Sequence, residues 1–162
     1  MDNDRLDNRE SPPARSRCKR GQQFQDLGRS RGGFSTKIHM LTDAHGNPLD
    51  FCITAGQESD YTMAPGLLKG RRAEAVIADK GYDSDEIRAA IRGLDAEPVI
   101  PYRSNRNNPG ILDGVLYGAR HAIENLFAKV KQYRSVACRY DKTTLSYCAM
   151  ITLACIMTWI RL

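Results

Sequence analysis

The chain has 162 residues, which is enough for one domain with a buried core and too few for two large domains. Its 24 Lys and Arg residues exceed its 19 Asp and Glu residues, for a net charge of +5, and 41% of the residues are apolar. This composition excludes a collagen-like protein, a coiled coil and a wholly disordered chain.

Charge is distributed unevenly along the sequence. Residues 1–37 include nine basic and five acidic residues. Residues 38–100 include six basic and eleven acidic residues, and residues 101–142 include eight basic and three acidic residues. Basic segments on both sides of an acidic middle suit a polyanionic partner that binds near a carboxylate-rich site. Ordinary solvated surface charge explains the same distribution equally well.

The first 27 residues are polar, contain Pro12 and Pro13, and show no hydrophobic period, which predicts a flexible basic segment. The start of the sequence lacks the apolar run of a secretory signal. Five cysteines without C-x-x-C spacing indicate reduced thiols. We therefore expect a cytoplasmic protein.

The last residues, LSYCAMITLACIMTWIRL, are apolar enough to raise a membrane-associated protein as an alternative. Thr152 and Thr158 interrupt the run and Arg161 follows it, which favours a helix over 143–162 that packs on the domain. We expect no membrane partner.

The segment from 28 to 142 alternates strand and helix patterns. Alternating residues in TKIHMLTD and LDFCITAG, separated by turn residues at 45–47, predict a hairpin. Ser59 and Asp60 can cap a helix over 61–68, and Ser84 can cap another over 85–94. Further patterns predict strands over 73–79 and 96–102 and a long helix over 117–133. This order is typical of an α/β domain with a mixed sheet flanked by helices.

Asp79 follows a short apolar run and precedes Lys80 and Gly81. A carboxylate at the carboxyl end of a buried strand lies at the open edge of an α/β sheet, where ligands and metals bind. A neighbouring glycine allows close approach of backbone or substrate. A simple turn-capping role for Asp79 is the alternative.

The helix predicted from residue 117 carries a second candidate site. Tyr117, Arg120, Glu124 and Lys131 fall on one face of it, and apolar residues lie on the opposite side. A solvated salt bridge explains Arg120 with Glu124. A salt bridge does not explain why Tyr117 and Lys131 lie on the same face of the helix.

These residues reproduce the Y-x2-R-x3-E-x6-K signature of bacterial insertion-sequence DDE transposases, and the chain resembles that family from about residue 14 onward. The segments GRSRGGFSTKIH, VIADKGYDSD and RHAIENLFAKVKQYR are similar to the insertion sequence five group within it. The resemblance implies a DNA transposase that cleaves and joins DNA at transposon ends. It also implies a ribonuclease-H-like catalytic domain, here over 28–142, with three carboxylates that hold two Mg²⁺ ions.

By this resemblance Asp79 corresponds to the second Asp of the catalytic and metal-binding triad, and Glu124 corresponds to its Glu. Tyr117, Arg120 and Lys131 correspond to residues that handle double-stranded DNA at the transposon end. The loop arginines Arg103 and Arg106 are further candidates for phosphate contact, since guanidinium groups suit bidentate contacts. A homodimer is a further expectation.

The first Asp of the family lies in a D-S-T context on the first strand of the sheet. Asp2, Asp4 and Asp7 lack that context. We therefore expect the back portion of a transposase, with a domain that lacks its first strand and is inactive alone. It is either a decayed remnant or the second reading frame of an element that makes its full enzyme by frameshifting, in which case the N-terminal half of the transposase is its partner. A non-catalytic DNA-binding or regulatory remnant is the alternative.

Other polar residues give weaker signals. His39, His45 and His121 have no regular metal-ligand spacing, and a surface position is the expectation for His121. Asp83 and Asp85 are interpreted as turn and helix-start residues.

Overall fold

The computed structural model of the chain describes residues 2–7, 28–30, 33–106 and 110–160. Its strands are β1 (Asp2–Asp7), β2 (Gly28–Ser30), β3 (Gly33–Thr42), β4 (Pro48–Ala55), β5 (Ala75–Ile77) and β6 (Glu97–Val99). Its helices are α1 (Ala64–Leu68), α2 (Asp85–Arg92), α3 (Gly114–Gly118), α4 (His121–Val130), α5 (Arg134–Ala137) and α6 (Thr144–Ile160). Two 3₁₀ turns cover Asp60–Thr62 and Lys80–Tyr82. The predicted mixed α/β class is confirmed.

Strand β3 organises the larger sheet. It pairs in antiparallel fashion with β1, β2 and β4, and Ile38 lies opposite Ile53 in the β3–β4 hairpin. Strands β5 and β6 form a parallel pair, with Val76 opposite Pro98. The predicted hairpin and both later strands are therefore present, but the described strands form an antiparallel sheet and a separate parallel pair rather than the single mixed sheet that the sequence predicts.

Strand β1 lies within the segment 1–27 that the sequence predicts to be flexible. Residues 2–7 pair with β3, from Asp2 opposite Met40 to Asp7 opposite Ser35. Strand pairing satisfies backbone N–H and C=O groups, so the edge of β3 can accept a segment without an apolar pattern. Residues 8–27 of the predicted flexible segment lie outside the described residues.

Both faces of β3 are buried, which places it between two apolar clusters. Ile38 and Met40 pack with residues of α4, α5 and α6 on one face. Leu41 packs with residues of α1, α2 and β5 on the other face. The alternation of side chains along a strand thus sends neighbouring residues of β3 into different clusters.

The C-terminal helix α6 packs on α4 and α5 and on strand β4. Tyr147, Ile151 and Ala154 are buried in it, and the indole Nε1–H of Trp159 donates to the Pro48 carbonyl at 2.9 Å. None of the helices in the described part of the chain has the length and apolar character needed to cross a membrane. Four of the five cysteines are described, and all four are free thiols.

Two helix predictions need correction. Ser84 caps α2 as predicted, since its hydroxyl accepts the Ile87 N–H at 3.1 Å, but Ser59 caps nothing with its side chain. The single helix predicted over 117–133 is divided, because Ala119 and Arg120 bond to carbonyls three residues back rather than four. Such tighter turns separate α3 from α4.

Candidate functional site

Asp79 lies directly beyond β5 and begins the turn Lys80–Tyr82, which we call the Asp79 turn. Its Oδ1 accepts the Gly81 N–H at 2.6 Å, and its side chain is half-buried. The predicted position at the carboxyl end of a strand and the turn-capping role are therefore both observed.

Gly81 lies between two carboxylates. A Cβ atom at this position would stand 2.8 Å from Asp79 Oδ1 and 3.2 Å from Asp60 Oδ2. A side chain at position 81 would collide with both carboxylates. Because glycine has none, Asp60 and Asp79 can approach residue 81 from two sides. Sequence reasoning missed Asp60 as a neighbour of Asp79, because it treated this residue as a helix cap.

Asp60 is held in place by a buried cation. Lys37 Nζ lies 2.6 Å from Asp60 Oδ1 and 2.5 Å from the Glu58 carbonyl oxygen, and the Lys37 side chain is only 5% exposed. An ammonium group so far from water needs such partners, because leaving it unpaired is costly. The ion pair therefore fixes the turn Asp60–Thr62 against β3.

His39 holds the Asp79 turn against the same strand. Its Nδ1 lies 2.8 Å from the Tyr82 hydroxyl, and its Nε2 lies 2.9 Å from the Thr54 hydroxyl. All three side chains are buried. Burial lowers the pKa of His39 from 6.5 to about 4, an effect that nearby Asp60 opposes and Lys37 reinforces. The imidazole is therefore neutral near pH 7.

Asp83 is the centre of a third polar cluster. Its Oδ1 accepts from Arg88 Nε at 2.9 Å and from Arg106 Nη1 at 2.6 Å, and its Oδ2 accepts the Arg103 N–H at 2.8 Å. Burial acts to raise the pKa of this carboxyl, but the bonds from Arg103 and Arg88 outweigh it and lower the pKa. Asp83 ends the turn Lys80–Tyr82, as its interpretation as a turn residue expects, but it is also almost fully buried.

These contacts determine where the loop arginines lie. Arg103 Nη2 donates to the Gly81 carbonyl at 2.9 Å, and Arg106 also pairs with Asp85 at the start of α2. The loop is thereby folded onto the Asp79 turn, and Arg103 remains exposed. An open cleft of about 510 Å³ lies between the two segments, lined by Lys80, Gly81, Arg103, Ser104 and Asn105.

The signature residues form a connected group at the junction of α3 and α4. Arg120 Nη2 lies 2.5 Å from Glu124 Oε1, and the Arg120 guanidinium carbon lies 5.4 Å from the centre of the Tyr117 ring. His121 Nδ1 is 3.6 Å from Glu124 Oε2. Lys131 caps the far end of α4. The spacing argument therefore places phenol, guanidinium and carboxylate together.

The contacts leave the predicted pairing of Asp79 with Glu124 untested. Asp79 bonds within its own turn, whereas Glu124 bonds to Arg120 and His121. Among the residues that the structure describes, no group of three His, Cys, Asp or Glu side chains could hold a metal ion. A shared metal site of Asp79 and Glu124 stays a prediction.

Comparison with known proteins identifies the class of this domain. A profile of the family described as Transposase DDE domain matches residues 10–112, a range that includes Asp79 and ends before Glu124. A Brucella ovis protein assigned as a transposase for insertion sequence element IS6501 is 40% identical over 129 residues, which cover 78% of this chain and 99% of that protein. A Burkholderia cepacia protein assigned as a transposase for insertion sequence element IS402 is 31% identical over 139 residues.

The chain belongs to the DDE transposases of bacterial insertion sequences. The match to the Burkholderia cepacia protein covers 78% of this chain and 63% of that protein, so this chain spans less than two thirds of that relative. No solved structure matches the chain significantly.

The buried imidazole predicts a pH dependence of stability. Between pH 6.5 and about 4 the unfolded chain binds a proton at His39 that the folded chain does not. The free energy of unfolding should therefore fall as the pH falls through this window, by roughly 3 kcal/mol. Urea unfolding at a series of pH values measures this change.

The matched variant is His39→Gln, which retains the exposed histidines His45 and His121. Its unfolding free energy should change less over the same window, so the difference between the two curves reports His39 alone. Parallel curves for the two proteins would contradict this assignment.

Proposed function

We propose that the chain is the catalytic portion of a DNA transposase that cleaves and joins DNA at the ends of its insertion sequence. The observation that carries this proposal is the Asp79 carboxylate at the end of β5, next to the cleft that Lys80 and Arg103 line. A half-buried carboxylate can help hold a hard cation, and neighbouring ammonium and guanidinium groups can hold phosphate. Both are needed for phosphodiester chemistry.

The topology supports a ribonuclease-H-like catalytic domain. An antiparallel hairpin, β3 and β4, precedes the parallel strands β5 and β6, and helices pack on both faces. Helix α4, which carries Glu124, packs near β1. A carboxylate from this helix and one from the end of β5 are the contributions that the family resemblance assigns to Glu124 and Asp79.

The donor atoms of Asp79 and Glu124 fit a divalent metal in kind. Carboxylate oxygens are the ligands that Mg²⁺ prefers, and Asp60 adds another carboxylate beside Gly81. Among the residues whose side chains the structure describes, which do not include the aspartates of β1, no three such groups converge. We propose that Asp79 and Glu124 are two of three ligands and that the N-terminal half of a transposase supplies the third. Two Mg²⁺ ions, when bound, would activate the attacking oxygen and stabilise the leaving oxygen.

The chain's own residues then bind and orient double-stranded DNA. Lys80 and Arg103 are exposed at the cleft and can contact the phosphate next to the cleaved bond. Arg120 holds the Glu124 carboxylate at 2.5 Å, so it fixes the direction of that group as well as adding positive charge. Lys131 lies at the opposite end of α4 from Arg120 and can contact a phosphate further along the DNA backbone.

Shared metal binding is tested with Mn²⁺, which replaces Mg²⁺ and broadens NMR signals of nearby atoms. We expect the amide signals of Gly81 and Glu124 to broaden together, because one cluster of ions would lie close to both. Asp79→Asn should remove the broadening at both positions.

The control is Asp95→Asn, which removes an exposed carboxylate at the end of α2 and keeps a residue that tolerates the positive φ of 56°. It should leave the broadening unchanged. Broadening confined to Gly81 or to Glu124 would place the two carboxylates in separate sites and reject the shared one.

Catalysis is tested with DNA that carries the terminal inverted repeats flanking the gene. The purified chain should not cleave this DNA in Mg²⁺, since Asp79 and Glu124 alone do not fix two ions. The N-terminal half of the transposase, supplied fused or separately, should restore cleavage, and Asp79→Asn should abolish it again. Cleavage by the chain alone would refute the proposal that the third metal ligand comes from elsewhere. An aspartate of β1 would then be the candidate for that ligand.

The electrostatic part of the proposal is tested by the salt dependence of duplex binding. Affinity should fall steeply with salt, and Lys131→Ala should reduce the slope of log affinity against log salt by about one. Lys69→Ala removes an exposed cation after α1 and should leave the slope unchanged. Equal binding at low and high salt would argue against phosphate contact.

A further inference from the structure

A second polar depression lies away from the Asp79 cleft, where the β3–β4 turn meets α4 and α6. It encloses about 320 Å³. The side chains of His45, His121, Asn125 and Lys129 line it, and Thr158 of α6 closes one side. None of these residues takes part in the contacts around Asp79.

The turn that forms one wall is held rigidly. Asp43 accepts hydrogen bonds from the backbone N–H groups of His45 and Asn47, at 2.9 Å and 2.8 Å, and from the Asn47 amide at 2.9 Å. Burial acts to raise the pKa of Asp43, but these bonds lower it overall. The carboxylate is therefore charged and occupied near pH 7, and the turn keeps its shape without a ligand.

Close packing fixes the turn against α4. Gly46 has a φ of +80°, and a Cβ there would lie 2.9 Å from the Ala122 carbonyl oxygen. Only glycine satisfies both the left-handed conformation and this approach. The indole of Trp159 also donates to Pro48 at the start of β4. The depression is thus built by three elements that hold one another in place.

The lining offers hydrogen-bond donors and positive charge. Within the described residues, the side chains of His45, Asn125 and Lys129 have no hydrogen-bond or ion-pair partner, and His121 uses Nδ1 towards Glu124 while Nε2 remains. Imidazole, amide and ammonium groups all donate to phosphate oxygens. No described residue of the lining carries a carboxylate, although Asp43 lies near His45 and Glu124 near His121. The ammonium group of Lys129 therefore makes an anion a better match than a cation.

We infer that this depression binds a phosphate of the DNA backbone, as a contact separate from the Asp79 cleft. The inference rests on the proposed function for the identity of the polyanion. His121 and Lys129 both lie on α4, and His121 also contacts Glu124 of the signature group. DNA that reaches Glu124 can therefore continue past His121 and place a second phosphate against the β3–β4 turn.

The first measurement follows binding of duplex DNA of arbitrary sequence in EDTA, so that no metal chemistry contributes. Lys129→Gln should lower the slope of log affinity against log salt by about one, equivalent to a loss of affinity that is roughly fourfold smaller over a fourfold rise in salt. Lys69→Gln, which removes a charge on the opposite side of the sheet, should not change the slope.

The second measurement titrates the chain with inorganic phosphate and follows the imidazole NMR signals. His45 and His121 should shift together with saturation. His39 serves as an internal control, because it is buried and bonded to Tyr82 and Thr54 and should not shift.

An unchanged salt slope in Lys129→Gln overturns the DNA contact, whether or not free phosphate shifts the histidines. A changed slope without histidine shifts overturns the depression as the site, since Lys129 would then act outside it. If the wild-type chain binds no duplex at any salt concentration, the proposed DNA function fails. If the wild-type chain binds duplex DNA but Lys129→Gln and Lys69→Gln have the same salt slope, only the assignment of the depression fails.

Discussion

The buried polar face of β3 is the constraint on which the site depends. Lys37 and His39 point into the domain, where apolar side chains would be the usual choice. Each is satisfied by a group from a different turn, Asp60 for the ammonium and Tyr82 for the imidazole. The two turns that carry the carboxylates beside Gly81 are therefore positioned by one strand. Removing one partner of the ion pair would leave a buried charge, at a cost of about 3–5 kcal/mol.

A second layer of polar contacts extends this arrangement to the loop after β6. Arg88 reaches from α2 to Asp83 and to the Ile100 carbonyl at 2.7 Å, and its guanidinium carbon lies 4.0 Å from the centre of the Tyr102 ring. The Arg88 and Asp83 side chains are 4% and 1% exposed. This network connects α2, the Asp79 turn and the arginine-bearing loop, so the basic wall of the cleft is fixed relative to the carboxylate.

Local patterns were sufficient for much of the fold. The alternation around 36–55 predicts the β3–β4 hairpin, and Ser84 with its acidic neighbours predicts the start of α2, because these signals lie within a few residues of one another. The position of Asp79 at a strand end follows from the apolar run before it. The group of Tyr117, Arg120 and Glu124 follows from helical spacing, even though a tighter turn interrupts the helix.

Long-range contacts account for what sequence reasoning missed. Nothing near His39 indicates that Tyr82, which is 43 positions away, completes its hydrogen bonding. Asp83 looks like a turn residue until Arg88, Arg103 and Arg106 surround it. The sequence of β1 has no alternating apolar pattern, so its backbone pairing with β3 is another long-range contact that local signals do not indicate.

The burial of β3 on both faces also determines how the domain loses its structure. Ile38 and Met40 belong to the cluster under α4 and α6, and Leu41 belongs to the cluster under α1 and α2. Neither cluster can melt while the strand between them stays ordered, because each would expose one face of that strand to water. We therefore expect the two clusters to unfold together in one cooperative transition, and a cavity made in either cluster to lower the stability of both.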